Sequence, residues 1–263
     1  MRFMSTVGRL AFAAFLISLV VGLVAAFGTR LHAWDYQVGF LQLFPFCLYA
    51  GAAGIVLGAA WGIAALYLNA GTASNYGVAG LLGSLAIMAV PLYTLYEVKI
   101  AHAIPPIHDV STDTEFAPQF VALLHDRQGA VNPPDYDGPK LVRTYDGKVR
   151  TTAEVQKLYY AEFKPVPFLG ATAASVYQRA LRAAGAMGWR IVAAVPTKDG
   201  GSIEAIDTSF FFGFEYDIAI RVRPAGKMGA HLDIRSKSRV GESDLGANAA
   251  QIRAYEKKLA NTN

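Results

Sequence analysis

Long runs of apolar residues fill most of the first hundred positions of the chain. No Asp, Glu, Lys or Arg occurs between Tyr36 and Tyr96. A helix needs about 20 consecutive apolar residues to cross a bilayer, so this stretch has room for two spans, and a further charge-free run precedes it. We predict a membrane domain over residues 1–103, with three transmembrane helices at about residues 10–27, 44–68 and 77–96.

The first apolar run has an alternative interpretation as a cleaved signal peptide. Arg2 and Arg9 would form its charged start, and Val24–Ala26 would lie near its cleavage site. The run is long for a signal core and further spans follow it directly, which favours a retained helix. Arg2 and Arg9 then place the N-terminus in the cytoplasm, because positively charged flanks stay on that side. Three spans put the long C-terminal half on the opposite side.

The second half of the chain, residues 104–263, shows helical and strand periodicity in turn. Apolar residues recur at helical spacing from Ala173 to Met187 and from Leu245 to Leu259. Between these helices lie four predicted strands, at residues 189–195, 202–206, 210–223 and 231–235. This order predicts an α+β two-layer domain, in which a four-stranded antiparallel sheet carries both helices on one face. Before it, the segment 107–168 is polar and rich in turns, with short helices expected at Phe116–Leu124 and Thr151–Tyr160.

The charge content agrees with this division into two halves. The whole chain is 17% charged with a net charge of +4, below the roughly 25% charged residues of a typical soluble domain. Residues 1–103 hold only four basic and two acidic residues, and the other charges lie in residues 104–263. Neither half is basic enough to indicate a nucleic-acid partner. A single cysteine, Cys47, excludes a disulfide scaffold.

Three glycines recur four residues apart in the second predicted span, at Gly54, Gly58 and Gly62. Small residues at this spacing share one helical face and allow another helix to approach closely. Packing within the three-helix bundle explains them. A contact with another membrane subunit is the alternative.

Several segments of the second half resemble one bacterial family. They are Pro105–Asp113 (PPIHDVSTD), Ala186–Val192 (AMGWRIV), Ile203–Ala205, Ile218–Val222 and Asp233–Asn248 (DIRSKSRVGESDLGAN). Over roughly residues 104–260 the chain is similar to domain-of-unknown-function family 1499, in its membrane-anchored proteobacterial form. The resemblance implies a setting in the bacterial envelope and implies no activity. We therefore expect an inner-membrane protein whose C-terminal domain lies in the periplasm.

The last of these segments carries a candidate anion site. Arg235, Lys237 and Arg239 share one face of a strand, and a helix begins shortly after them. Arginine side chains and the N–H groups of a helix start favour phosphate, carboxylate or a lipid headgroup. Cross-strand pairs with nearby acidic residues, and Ser243 as an ordinary helix cap, are the alternative. The candidate anion-binding residues are Arg235, Ser236, Ser238, Arg239, Gly241 and Ser243.

Two further groups of residues carry side chains that are capable of chemistry. His108, Asp109 and Asp113 carry groups that ligate divalent metals, but their spacing matches no established metal motif, and a turn held by Asp and Ser/Thr side chains explains them as well. For acid–base catalysis the candidates are Asp217, Glu204 and His108. No hydrolase, zinc-protease or nucleotide-binding motif accompanies them.

We therefore expect a protein that binds or scaffolds, with no cofactor. Besides the lipid bilayer, its partner would be another envelope protein, a second copy of the chain or an anionic envelope molecule. The alternative is a hydrolase-like envelope enzyme that uses the carboxylates and His108.

Overall fold

The computed structural model describes residues 2–67, 75–101, 105–226 and 229–262. The chain forms two compact units, one made of Met1–Ile100 with Phe210–Gly213, the other of Ala101–Ser209 with Phe214–Asn263. The end of the second predicted span, at Leu68, and the predicted domain boundary after Ala103 lie outside the described residues.

In its described residues, the first unit contains three α-helices. They are α1 (Arg2–Arg30), α2 (Phe44–Tyr67), which a π-helical segment at Gln37–Leu43 precedes directly, and α3 (Asn75–Ala101). Two stretches, Met4–Arg30 and Gln37–Tyr67, are long and apolar enough to cross a membrane. In the most apolar part of each stretch, only 28% of the residues of Met4–Arg30 and 22% of those of Gln37–Tyr67 are buried. Both stretches therefore differ from the core helices of a soluble protein, which are mostly buried. The third predicted span falls in α3, of which Asn75–Ala89 is an apolar helical segment shorter than these two.

The glycines of α2 lie in two different environments. A Cβ atom added at Gly58 would lie 2.6 Å from the Cβ of Leu81 in α3, and one added at Gly54 would collide with Ser84 of the same helix. Among the described residues, nothing lies within 4 Å of the Cβ position at Gly62. Gly54 and Gly58 therefore allow α2 and α3 to pack closely, whereas Gly62 takes no part in this contact.

The described residues of the second unit form eight strands. The strands are β1 (Asp109–Ser111), β2 (Leu141–Arg143), β3 (Val149–Thr151), β4 (Val166–Leu169), β5 (Arg190–Thr197), β6 (Gly200–Thr208), β7 (Glu215–Pro224) and β8 (Gly229–Ser238). Six of them form an antiparallel sheet in the order β1-β8-β7-β6-β5, with β4 paired to the same side of β8 as β1. The other two, β2 and β3, form a separate hairpin. The helices of this unit are α4 (Thr152–Tyr159), α5 (Ala173–Ala186) and α6 (Ala247–Ala260).

The α+β arrangement and the antiparallel sheet are confirmed. Both long helices pack on one sheet face, where alternate apolar side chains of β6, β7 and β8 form the core with them. This core includes Val176 and Ala180 of α5, Ile218 of β7, Ile234 of β8 and Ile252 of α6. Period-two alternation in the strands and helical spacing in α5 and α6 direct these side chains to the same layer.

The prediction of four strands is wrong, because β1 and β4 extend the sheet beyond β8. These strands have three and four residues, too few to show a periodic pattern. The strand predicted from residue 210 is also wrong at its start, since β7 begins at Glu215. Gly213 has φ +68°, a left-handed conformation that an extended strand does not contain.

The two short helices predicted before the sheet have different outcomes. Helix α4 is present, and Thr151 and Glu154 cap it reciprocally. The helix predicted at Phe116–Leu124 is mostly absent, because only a 3-10 turn forms, at Ala122–Asp126. Pro118 lacks an N–H group and disfavours helical geometry in the residue before it.

Candidate functional site

The second face of the sheet carries charged side chains. On β7 and β8 the residues that point away from the helices are mostly ionic. Residues 109–140 contribute further charges to them, and we call residues 114–140, which lie over this sheet face, the covering segment. We call this set of charged residues the charged layer. Its members are Asp109, Asp113, Arg127, Asp137, Asp217, Arg221, Arg223, Asp233, Arg235, Lys237 and Arg239.

Arg235 and Asp109 form a fully buried pair of this layer, and neither side chain is exposed to solvent. Nε and Nη2 of Arg235 donate to the two carboxylate oxygens of Asp109 at 2.9 and 2.8 Å. The guanidinium also donates to backbone carbonyl oxygens of the covering segment. It lies 4.3 Å from the ring centre of Phe120 and 5.3 Å from that of Tyr136. Carboxylate, carbonyls and rings therefore surround this cation completely.

Lys237, Asp137 and His108 form a second group. Nζ of Lys237 lies 3.0 Å from Oδ1 of Asp137 and 3.3 Å from Oδ2 of Asp109. Nε2 of His108 lies 2.8 Å from Oδ2 of Asp137, and Nδ1 lies 2.9 Å from the carbonyl oxygen of Glu242. Both ring nitrogens face acceptors, so both contacts are hydrogen bonds only when the ring carries two protons. Burial alone would raise the pKa of Asp137, but hydrogen bonds from His108 and the charge of Lys237 lower it to about 2.

Asp217 lies between two arginines. Nε and Nη2 of Arg239 donate to its Oδ1 at 3.0 and 2.9 Å, and Arg127 pairs with its Oδ2. Arg239 also pairs with Glu215 at the start of β7. Because Asp217 is fully buried and both its oxygens are occupied by cations, it stabilises the cations around it.

Two acidic residues compensate the arginines at the far end of β7. Arg221 and Arg223 each approach Asp233 at 2.9 Å and Asp113 at 3.1 Å. Burial works to raise the pKa of Asp113, but hydrogen bonds from the N–H groups of Phe116 and Glu115, with the charges of both arginines, hold it below the usual value. Asp113 thus also fixes the turn that leads into the covering segment.

The geometry leaves no opening for the predicted anion site on β8. Arg235 and Arg239 are buried and are already paired with carboxylates. Ser236 and Ser238 point to the helix side, where both are hydrogen-bonded to Asn248. An anion could reach the guanidinium groups only by displacing an internal carboxylate.

The start of α6 is also occupied. The carboxylate of Asp244 accepts hydrogen bonds from the N–H groups of Gly246 and Asn248, both at 2.8 Å. Ser243 bonds to the N–H of Leu245 instead of capping the helix, and Gly241 accepts from the side chain of Asn132. The internal carboxylate of Asp244 therefore takes the place predicted for a bound anion.

The candidate metal ligands and catalytic residues do not converge. His108 bonds to Asp137, Asp109 to Arg235, and Asp113 to Arg221 and Arg223. Across the described ranges of the chain, no group of three His, Cys, Asp or Glu side chains is placed to hold a metal ion.

Glu204 has a separate structural role from Asp217 and His108. Its carboxylate accepts hydrogen bonds from the N–H groups of Val121, Ala122 and Leu123 at 2.9 to 3.1 Å. These N–H groups begin the 3-10 turn, so Glu204 caps it from the neighbouring sheet. Each of the three catalytic candidates thus has fixed internal partners, and the three do not share a site.

An apolar groove lies beside the charged layer, where the covering segment leaves part of the sheet open. It encloses about 460 Å³ between the segment Pro118–Ala122 and strands β5, β6 and β7. Two valines on its rim are exposed, Val121 by 69% and Val195 by 53%. We call it the β5 groove, lined among others by Gln119, Val121, Ala193, Val195, Ser202 and Ala219.

Sequence patterns did not predict the β5 groove. Strand β5 reads as a continuous apolar run, which is typical of a strand buried on both faces. It is instead an edge strand, so its outward apolar side chains remain exposed. The apolar run of β5 is visible in the sequence, but it indicates an exposed apolar groove only once the order of the strands is known.

The part of the chain that carries these features matches a known protein family. A family model described as "Protein of unknown function (DUF1499)" matches residues 109–259, the region from β1 to α6. Among curated proteins, none matches the chain.

Proposed function

We propose that this chain, which belongs to the DUF1499 family, is a membrane-anchored protein whose α+β unit binds a protein partner at the β5 groove. One observation carries the proposal. The ionisable groups of the unit neutralise one another inside the charged layer, whereas the groove presents exposed apolar side chains at a sheet edge. Exposed apolar surface beside a concave site is typical of a protein-interaction surface or a ligand-binding groove.

Membrane insertion is the first part of this proposal. Leu10, Ile17, Val20, Phe46 and Ile63 are exposed apolar side chains on α1 and α2, and lipid would bury them. Helix α3 has 27 residues, and at 1.5 Å per residue it is about 40 Å long, more than the roughly 30 Å of a hydrocarbon core. This length supports the three spans expected from the sequence.

The proposed orientation follows from the placement of charges. Arg2 and Arg9 precede the first span, which favours a cytoplasmic N-terminus, and three spans then bring the α+β unit to the periplasmic side of a bacterial inner membrane. A reporter enzyme that is active only in the periplasm, fused to the C-terminus, tests this directly. Activity of a cytoplasm-specific reporter at the same position would contradict it.

The groove favours binding through side chains over addition of a strand. The edge of β5 is interrupted by a bulge between Ile191 and Ala193 and by Pro196, which has no N–H group. Both features disrupt the regular row of backbone groups that an added strand needs. The rim valines lie beside apolar lining residues, so we expect the partner to insert apolar side chains into the groove.

The structure offers less support for the alternative of an enzyme. His108 has acceptors at both ring nitrogens, Asp217 is held by two arginines, and Glu204 accepts from three backbone N–H groups. A general acid or base must exchange its proton with a substrate within hydrogen-bonding distance. His108 and Asp217 leave no free position for such a substrate. The Glu204 carboxylate lines the β5 groove, but it is held as the cap of the 3-10 turn.

Site-specific crosslinking in living cells tests the binding proposal. A photo-crosslinking amino acid is placed at Val195 in the full-length chain. A matched control is placed at Val149 on β3, which is also 53% exposed but does not line the groove. We expect a defined crosslinked product from Val195, and from Val121 on the opposite rim, but not from Val149.

A substitution shows whether the product depends on the groove. Val195→Glu places a charge on the rim, so we expect it to abolish the product formed from Val121 while the thermal unfolding midpoint Tm stays unchanged. A product of twice the mass of the chain would identify a second copy as the partner. Equal products from all three positions, or no product from the two rim positions, would contradict the proposal.

A further inference from the structure

The loop that connects β6 and β7 is strongly apolar. Four of the five residues Phe210–Phe214 are phenylalanine, and no charge occurs among them. Phe210 is 69% exposed and Phe211 is 58% exposed. We call Phe210–Phe212 the aromatic tip. A short hairpin loop normally carries small or polar residues, so adjacent exposed phenylalanines indicate a surface that is covered by another apolar phase.

The tip is part of the first unit, together with the long apolar helices. The ring of Phe212 meets Phe40 and Phe44 edge-on, with ring centres 5.2 and 5.5 Å apart. The ring of Phe210 lies edge-on to Phe27 of α1, with centres 6.3 Å apart. The tip therefore continues the apolar surface that these helices present.

Arg30 holds the aromatic tip beside the C-terminal end of α1. Its Nη1 donates to the carbonyl oxygen of Phe210 at 2.7 Å, and its guanidinium carbon lies 5.7 Å from the centre of the Phe210 ring. A Cβ atom at Gly213 would lie 3.0 Å from the Cα of Arg30, and with φ +68° this position requires glycine. Arg30 ends α1 and follows the predicted span 10–27, so it marks the level of the membrane surface.

We infer that the aromatic tip is a second membrane anchor, in which the rings of Phe210 and Phe211 enter the lipid interface beside the end of α1. The inference rests on the proposed membrane insertion of α1 and α2. Lipid is the occupant that fits, because the tip is uncharged and continues the surface of two helices able to span a membrane. Phenylalanine is among the apolar side chains that membrane-surface segments bury at the boundary between headgroups and acyl chains.

Fluorescent probes at single cysteines test this in the full chain. Phe211→Cys carries the probe at the tip. Val20→Cys, on the exposed face of α1, reports whether the spans are in lipid. Phe116→Cys, on a residue of the second unit that is 70% exposed, is the aqueous control. Cys47 is buried, and wild-type protein labelled in parallel measures its background.

The labelled proteins are reconstituted into phosphatidylcholine vesicles with and without a nitroxide on the lipid acyl chain. We expect lipid nitroxide to quench the probes at positions 20 and 211 several-fold more than the probe at 116, and aqueous iodide to show the reverse order. Quenching at 20 but not at 211 would overturn the tip anchor and leave the membrane proposal intact. Absence of quenching at both positions would overturn both.

Discussion

Replacing Asp109 by Asn is the sharpest test of the charged layer, because it removes one charge and almost no volume. The carboxylate of Asp109 accepts two hydrogen bonds from Arg235 and one from the backbone N–H of Asp137, and it lies 3.3 Å from Nζ of Lys237. The amide would keep one acceptor oxygen and would turn its NH₂ group toward these cations. Arg235 would then lose its carboxylate partner, and Lys237 would keep only Asp137.

The expected loss follows from the burial of this pair. Neither the Asp109 nor the Arg235 side chain is exposed, and removing one partner of a buried ion pair costs about 3–5 kcal/mol. This is a large part of the 5–15 kcal/mol by which ordinary domains are stable. For a domain of 150–250 residues each kcal/mol lowers Tm by about 2–4 °C, so we expect a drop of about 6–20 °C.

Thermal unfolding of the full chain in detergent, followed by circular dichroism, measures this drop. Asp146→Asn is the matched control. Asp146 pairs with Arg150 at 2.8 Å at the protein surface, where ion pairs contribute little, so we expect no measurable change in Tm. Equal shifts in the two variants would refute the claim that the charged layer stabilises the fold through compensated buried charges.

A double variant separates the cost of an unpaired charge from the value of the pair. Asp109→Leu combined with Arg235→Met removes both charges, and Lys237 keeps Asp137 at 3.0 Å. We expect this variant to regain most of the Tm lost in Asp109→Asn, because replacing a buried ion pair with apolar groups is often neutral or stabilising. A further drop in Tm would mean that the Asp109–Arg235 ion pair stabilises the fold more than apolar side chains of similar size do.

Three other predictions concern separate parts of the molecule. The pKa of Asp137 is about 2 in the folded chain and about 3.9 in the unfolded chain, so the Asp137 carboxylate stabilises the fold above pH 4 and this stabilisation is lost as the pH falls toward 2. In acid unfolding, Asp137→Asn should therefore lose less stability between pH 4 and pH 2 than the wild-type chain. Gly58→Ala should lower Tm in detergent and Gly62→Ala should not, because only the first methyl group would meet Leu81; equal effects would contradict the proposed α2–α3 contact. Glu204→Gln should cost about 1 kcal/mol, since a charge-assisted cap is replaced by a neutral one, and amide hydrogen exchange should quicken in the 3-10 turn but not in α5.

The secondary structure of the sheet and its two long helices could be read from the sequence because each has a regular period. Helices α5 and α6 repeat apolar residues at helical spacing, and β7 alternates between the core and the charged layer. The errors fell where this signal was absent or misleading. Strands β1 and β4 are too short to alternate, and the spaced phenylalanines at 210, 212 and 214 resemble a strand although Gly213 turns the chain.

The candidate sites were harder to predict than the elements. The sequence indicated that Arg235, Lys237 and Arg239 share a face, but it could not show whether that face is open to solvent. Asp109 lies 126 residues from Arg235 in the chain, and its position beside β8 comes from pairing of β1 with that strand. No local pattern encodes such a distant partner.

The sequence by itself determined two things about this protein. Uninterrupted apolar runs specify long helices suited to lipid, and periodic apolar positions specify a two-layer α+β unit, because both depend on near neighbours in the chain. Only the tertiary structure decided which charges neutralise one another, that β5 is an edge strand, and where the aromatic tip lies. Those features depend on which distant segments meet, since strand order and burial arise from the packing of the whole unit.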